Sequence, residues 1–139
     1  MILYLDTSSL VKLYMEEEES LKIETLVRSS EATATSIVSY AEARAAFARR
    51  FREKSFTSDE HGRLKEFFDK DWRNYFILNI TQDMVELAGN LAEKHALRGF
   101  DSIHLASALI LHREVSTSVV FSCVGNKLEK AAMREGLDT

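Results

Sequence analysis

The feature that most constrains how this chain can fold is an alternation of two periodicities. Short apolar runs recur along it: "ILYL" (2–5), "EATATS" (31–36), "YFILNI" (75–80) and "SVVFS" (118–122). Each has the length and content of a buried strand. Between them lie stretches with helical spacing: 7–14, 20–29, 39–54, 59–75, 82–97 and 101–114, with 126–137 closing the chain. Strands alternating with helices predict an α/β fold, a parallel sheet covered by helices on both faces. The chain has no proline and five glycines, which favours long helices and tight connections. Thr7 or Ser8, Ser58 and Thr81 stand where helix caps are needed. Gly99 and Gly136 stand where helices end, and the acidic run Glu16–Glu19 reads as a solvated junction.

One domain over residues 1–139 accommodates all of this, with no linker or repeat. A single cysteine, Cys123, precludes an intrachain disulfide and suits a cytoplasmic location. No apolar run is long enough to span a membrane. The amino-terminal "MILYLDTS" lacks a basic region and is expected to be a strand rather than a secretory signal. The net charge of −4 argues against broad electrostatic binding of nucleic acid. A role with RNA would rest on local positive charge or a bound cation.

Parallel α/β sheets place their sites at the carboxyl ends of strands. Asp6 follows the first strand, Glu42 lies early in the helix after the second, and Asp101 opens the helix before the fourth. Each alone has an ordinary reading as a cap or a surface acid; the coincidence of all of them is what carries weight. Clustered carboxylates repel and raise one another's pKa, and a hard divalent cation relieves that cost. Mg²⁺ or Mn²⁺ fits such a cluster, whereas no Cys/His spacing for zinc is present. His104, three positions after Asp101, could act as a base but reads first as a hydrogen-bonded interior histidine.

The segments "YLDTSSLVKLY" (4–14), "SYAEARAAF" (39–47), "LRGFDSIHLASAL" (97–109) and "KLEKAAMREGL" (127–137) resemble a PIN domain, and more narrowly the VapC-type toxins of toxin–antitoxin pairs. The resemblance implies a PIN-like three-layer α/β/α fold with a central parallel sheet of four or five strands. It implies that Asp6, Glu42 and Asp101 form the metal site of a Mg²⁺-dependent ribonuclease, in which a metal-activated water leaves 5′-phosphate and 3′-hydroxyl ends. Ser8, Ser122 and Asn126 would support that site, Ser122 by binding a metal-bound water. The family often carries a fourth acid where this chain has Gly125, which opens an alternative: a catalytically weakened protein that binds RNA or an antitoxin. The resemblance further implies a small antitoxin partner and a homodimer, with the helices at 39–54 and 59–75 forming the antitoxin groove.

Positive charge for a partner is concentrated in "EARAAFARRFREK" (42–54). Arg49 is seven positions after Glu42, on about the same helix face, and is the first candidate for a phosphate contact. Arg44 and Arg50 are further candidates for RNA or antitoxin. The aromatics Phe47, Phe51, Phe56, Phe67, Phe68 and Trp72 outnumber what a small core needs, so some are expected at the surface. A haloacid-dehalogenase-type phosphatase is disfavoured because Ser8 replaces the second acid of that motif, and a nucleotide-binding role lacks a glycine-rich phosphate loop.

Overall fold

The strand β1 (Ile2–Leu5) is central, and its side chains alternate between two cores as a strand's period of two requires. Tyr4 points into one buried cluster, and Leu3 and Leu5 into the other. The computed structural model, which describes residues 1–139, builds a four-stranded sheet in the order β3-β2-β1-β4. The other strands are β2 (Ala32–Ser36), β3 (Phe76–Leu78) and β4 (Val119–Ser122). All pairings are parallel, with Ile2 opposite Ala32 on one side and Val119 on the other. The expected alternation is therefore present. A fifth strand is reduced to a single parallel bridge between Val120 and Asp138, where the Phe121 amide donates to the Asp138 carbonyl at 2.7 Å.

On one face lie α5 (Gln82–His95), α6 (Gly99–Glu114) and α7 (Asn126–Arg134). Their core is mostly alanine and leucine, with Tyr4 and Phe121 stacked on the sheet at 5.6 Å. On the other lie α1 (Thr7–Leu10), a 3₁₀ turn over Val11–Leu13, α2 (Ser20–Ser29), α3 (Val38–Arg52) and α4 (Ser58–Trp72). That core is aromatic: Phe47 and Phe68 are fully buried and contacted by Tyr14, Tyr40 and Trp72. Phe51 and Phe67 remain exposed, as expected of some of this group.

Helix ends depart from expectation where a neighbouring residue makes the better cap. Thr57 caps α4 in place of Ser58, because Glu60 reaches back to the Thr57 amide at 2.8 Å and completes a reciprocal box. Gly99 begins α6 and does not end α5; α5 is closed by Ala96 in the left-handed region. Gly136, at φ +91, closes α7 as predicted. The run Glu16–Glu19 is exposed except for Glu17, which pairs with Lys12 at 3.2 Å and Arg50 at 2.8 Å.

The strand order fixes where a site can form. From β1 the chain steps outward through β2 to β3 and then returns to β4 on the opposite side of β1. The crevice outside the carboxyl ends of β1 and β4 is the switch point at which open α/β sheets bind ligands.

Candidate active site

A cleft of about 320 Å³ occupies that switch point, lined by Asp6, Thr7, Ser8, Glu42, Asp101 and His104, with Phe100, Val124, Gly125, Lys127 and Leu128 around them. Asp6, Glu42 and Asp101, up to 95 positions apart in sequence (101 minus 6), are thus brought to one place.

Asp6 is buried at the end of β1 and caps α1. Its Oδ1 accepts from the Ser9 amide at 2.9 Å and from the Ser8 hydroxyl at 2.7 Å. Its other oxygen accepts nothing from the protein, and no buried side-chain polar atom is left unpartnered, so Oδ2 faces the open cleft. Burial pushes the Asp6 carboxyl above the ordinary range and the charge of Asp101 adds to this, against the hydrogen bonds from Ser8 and Ser9 and the attraction of His104. An oxygen with no protein donor, on a carboxylate that burial makes reluctant to ionise, marks a place where a cation would relieve a cost.

Glu42 is held by hydrogen bonds. The Thr7 hydroxyl donates to its Oε1 at 2.6 Å, and His104 Nε2 lies 3.3 Å from the same oxygen. Partial burial works to raise this carboxyl, but the bonds from His104 and Thr7 outweigh it and hold it below the usual range. The relay continues inward, where the Tyr4 hydroxyl meets His104 Nδ1 at 2.8 Å. Burial keeps the Tyr4 phenol protonated. A Tyr4 proton donated to Nδ1 leaves the histidine's own proton on Nε2, facing Glu42. His104 is thus the buried, hydrogen-bonded histidine expected, and it also fixes a site acid.

Asp101 reaches the cleft by packing. It sits in the first turn of α6, whose cap residue is Arg98, so the carboxylate is not spent on capping as its place in the sequence allowed. The helix behind it buries eight residues, among them Ser102, His104, Leu105 and Leu109. As an acid in a first turn it also meets the favourable end of the helix dipole.

The supporting residues divide. Ser8 belongs to the cleft; it donates to Asp6 and accepts from the Val124 amide at 3.2 Å. Ser122 is bonded to Ser9 at 2.9 Å and braces β4 against α1 without lining the cleft. Asn126 is exposed at the start of α7 and likewise stands outside it. None of the candidate arginines lines the cleft. Arg44 lies over the Tyr40 ring, donates to its hydroxyl at 2.7 Å and stands 3.9 Å from Asp69. Arg49 pairs with Glu53 at 3.2 Å and Arg50 with Glu17 at 2.8 Å. With Arg52 these two border a separate groove of about 570 Å³ floored by Val11, Met15, Ala45 and Ala46. Seven residues of helix bring Arg49 round to the side of Glu42, but about 10 Å further along the axis. Thr7, Phe100, Val124 and Lys127 are cleft residues that sequence reasoning did not single out. In the sequence Thr7 and Ser8 are capping residues, but Asp6 takes the cap of α1 and leaves the Thr7 hydroxyl to Glu42.

No three or more of the His, Cys, Asp and Glu side chains are gathered into a ready-made metal cage. The donor set still suits a hard cation. Mg²⁺ is commonly held by one or two carboxylates, several waters and a substrate phosphate rather than by an all-protein shell. Asp6 through Oδ2 and Asp101 could hold it, with Glu42 lining the same cleft.

Comparison with known proteins bears on the family and the fold. The PIN domain family model matches residues 3–118. The chain belongs to the PIN-domain family. It is 35% identical over 108 residues to Ribonuclease VapC45 of Mycobacterium tuberculosis (strain CDC 1551 / Oshkosh), covering 78% of this chain and 75% of that protein. Among solved structures, FitAcB from Neisseria gonorrhoeae superposes with a TM-score of 0.70 at 17% identity, over 96% of this chain and 94% of that one. A toxin–antitoxin complex from Klebsiella pneumoniae gives 0.58 at 23% identity, over 85% and 83%. At these identities the structural likeness speaks for the PIN fold.

Proposed function

We propose that this PIN domain is a metal-dependent endoribonuclease, the toxin of a toxin–antitoxin pair, hydrolysing RNA phosphodiesters with Asp6, Glu42 and Asp101. The observation that carries the reading is the meeting of these acids in one cleft at the sheet's switch point, together with 35% identity to a protein named a ribonuclease. Mg²⁺ is the proposed ion and Mn²⁺ an acceptable substitute, since both favour oxygen donors. When bound, the cation supplies Lewis acidity toward a phosphate oxygen and makes hydroxide available near neutral pH.

The chain's own residues do the rest. Asp6 and Asp101 present oxygens to the ion. Glu42, kept ionised by Thr7 and His104, orients a water and receives a hydrogen bond from it. His104, backed by Tyr4, holds Glu42 in place. No covalent nucleophile is required. Cys123 is not suited to be one, because burial and the charges of Asp6, Glu129 and Asp101 push its thiol up to about 12.

The antitoxin partner is proposed to lie in the groove between α3 and α4, which Arg50, Phe56, Glu60 and Leu64 help to line, with the α3 arginines available to an acidic tail, and a second copy of this chain to cover part of the exposed aromatic surface that includes Phe67. A cytoplasmic location accompanies an RNA substrate and a lone cysteine. No helix is long and apolar enough to cross a membrane.

Gly125 supports the weakened alternative, since it lines the cleft where a further carboxylate could stand. It caps α7 with extended backbone, and a Cβ there meets nothing within 4 Å. Gly125→Asp can therefore be built without a clash. The decisive test incubates purified protein with single-stranded and structured RNA in Mg²⁺ or Mn²⁺, then with chelator, beside Asp6→Asn. Cutting abolished both by chelator and by Asp6→Asn is expected. Cutting that persists in Asp6→Asn would point to a contaminant. RNA binding without cutting, with cutting gained in Gly125→Asp, would favour the alternative.

A further inference from the structure

The cleft has a rim of different character from its floor. Phe100 is 55% exposed and Val124 43% exposed, yet both line the same cleft as the carboxylates. Phe100 is the second residue of α6, directly before Asp101. Val124 lies in the link between β4 and α7, tied to Ser8 through its amide. A large ring left in water beside an acidic cleft gains by being covered. Lys127, the second residue of α7, is the only lysine or arginine lining the cleft. Arg49 and Arg50 are engaged by Glu53 and Glu17, whereas Lys127 has no carboxylate within ion-pair distance. Carboxylates alone would repel a phosphodiester; a free ammonium at the same opening offsets that repulsion.

We propose that Phe100, Val124 and Lys127 form a nucleotide subsite on the rim of the acidic cleft, a base stacking on the Phe100 ring beside Val124 while the Lys127 ammonium contacts the phosphodiester. The proposal rests on the ribonuclease reading and adds to it the groups that hold the substrate. Every base has a π-face, so a Phe100 platform accepts many sequences and selects for unpaired RNA, whose bases are free to stack.

The test measures binding of a fluorescein-labelled short single-stranded RNA by anisotropy, with Ca²⁺ in place of Mg²⁺, and single-turnover cleavage with Mg²⁺. Phe100→Ala should weaken binding about tenfold, the order of one stacked base. Phe100→Trp should bind like the parent, and Phe100→Leu like the alanine variant. Lys127→Ala should reduce the slope of log affinity against log salt by about 0.7, as for one phosphate contact on a single strand, and Lys127→Arg should restore it. Both side chains are exposed, so unchanged melting temperatures would separate these effects from unfolding. If Phe100→Leu bound like the parent, the contact would not be stacking and the proposal would fall. If Phe100→Ala and Lys127→Ala bound and cut like a parent that does cut RNA, the subsite would be refuted and the ribonuclease reading would stand. If the parent neither bound nor cut RNA with Mg²⁺ or Mn²⁺, the ribonuclease reading would fail and the subsite with it.

Discussion

Asp101 and Glu42 face the same cleft from opposite layers, and they are held there by different physics. Asp101 rides on α6, which buries eight residues in the aliphatic layer. Glu42 rides on α3, which buries only Ser39, Ala43 and Phe47, and it is fixed by Thr7 and His104. One carboxylate is positioned by packing of its helix and the other by hydrogen bonds to its own oxygen. Packing is non-directional and leaves both Asp101 oxygens without a protein donor. Hydrogen bonding commits Glu42 Oε1. On the proposed reading, Asp6 through its unbonded Oδ2 and Asp101 would serve the ion, and Glu42 would serve a water bound to it.

The largest expected effect follows from that assignment. Asp101→Asn and Asp6→Asn should each reduce RNA cleavage by about 100-fold or more, on the scale of losing a key electrostatic group in an active site. Asparagine caps a helix about as well as aspartate, so Asp6→Asn should fold. Without metal it should be at least as stable as the parent at neutral pH, for a reason of sign. The folded Asp6 carboxyl sits above its ordinary value, so its ionisation costs the native state stability as pH rises through that range. Thermal melts with and without Mg²⁺ check this. The ion should raise the melting temperature of the parent more than that of the variant.

Packing is broken next. Leu105 is fully buried on α6, and Leu105→Ala should cost about 2–5 kcal/mol. Phe68→Ala in the aromatic layer should cost a similar roughly 3–5 kcal/mol. Cleavage by the folded fraction separates the two. Leu105→Ala loosens the helix that carries Asp101 and should lose activity below its melting transition, whereas Phe68→Ala should keep it. Equal losses would mean that packing does not position Asp101 in particular.

Hydrogen bonding is the smaller lever. Thr7→Val removes the shortest bond to Glu42 and should cost about 1.5 kcal/mol at neutral pH. The folded Glu42 carboxyl lies below its ordinary value. The stability it contributes is present above the unfolded pKa and is lost as pH falls through the folded one. The difference between parent and Thr7→Val should therefore shrink on acidification. Urea melts at neutral and acidic pH measure it, and a difference independent of pH would remove Glu42 from the account.

The same contrast explains what could be read in advance. The parallel sheet and its helices were legible because apolar periodicity records packing, and Asp6, Glu42 and Asp101 stood out as acids at or near element ends, Glu42 in the second turn of α3. Contacts between distant side chains leave no such record. Ser122 pairs with Ser9 across 113 positions, a contact that neither residue's local sequence announces. Arg49 shares a helical side with Glu42 but lies about 10 Å further along the axis, beside a neighbouring groove. Lys127 and Phe100 are ordinary residues in ordinary helices until β4 and α6 deliver them to one opening. The cap at Thr57 was missed for a subtler reason. Ser58 is an equally good capping type, and only the reach of Glu60 decides between neighbours.

The smallest effect tests whether the aliphatic layer, which positions Asp101, is also set at its helix ends. α5 and α7 close with the same geometry. The Leu97 amide donates to the Ala92 carbonyl at 3.1 Å, and the Leu137 amide to the Ala132 carbonyl at 3.0 Å, each across a left-handed residue. At α7 that residue is Gly136, and at α5 it is Ala96, where a Cβ opposes the required conformation at φ 53. Ala96→Gly should therefore stabilise the protein by about 0.5–1 kcal/mol, and Gly136→Ala should destabilise it by about 1 kcal/mol. A Cβ at position 136 would meet nothing within 4 Å, so the loss there would be backbone strain alone. Denaturant melts with an unchanged slope would confirm opposite signs. If Ala96→Gly also destabilised the chain, the entropy of the unfolded state would outweigh the strain, and α5 would owe its end to packing, as Asp101 owes its place.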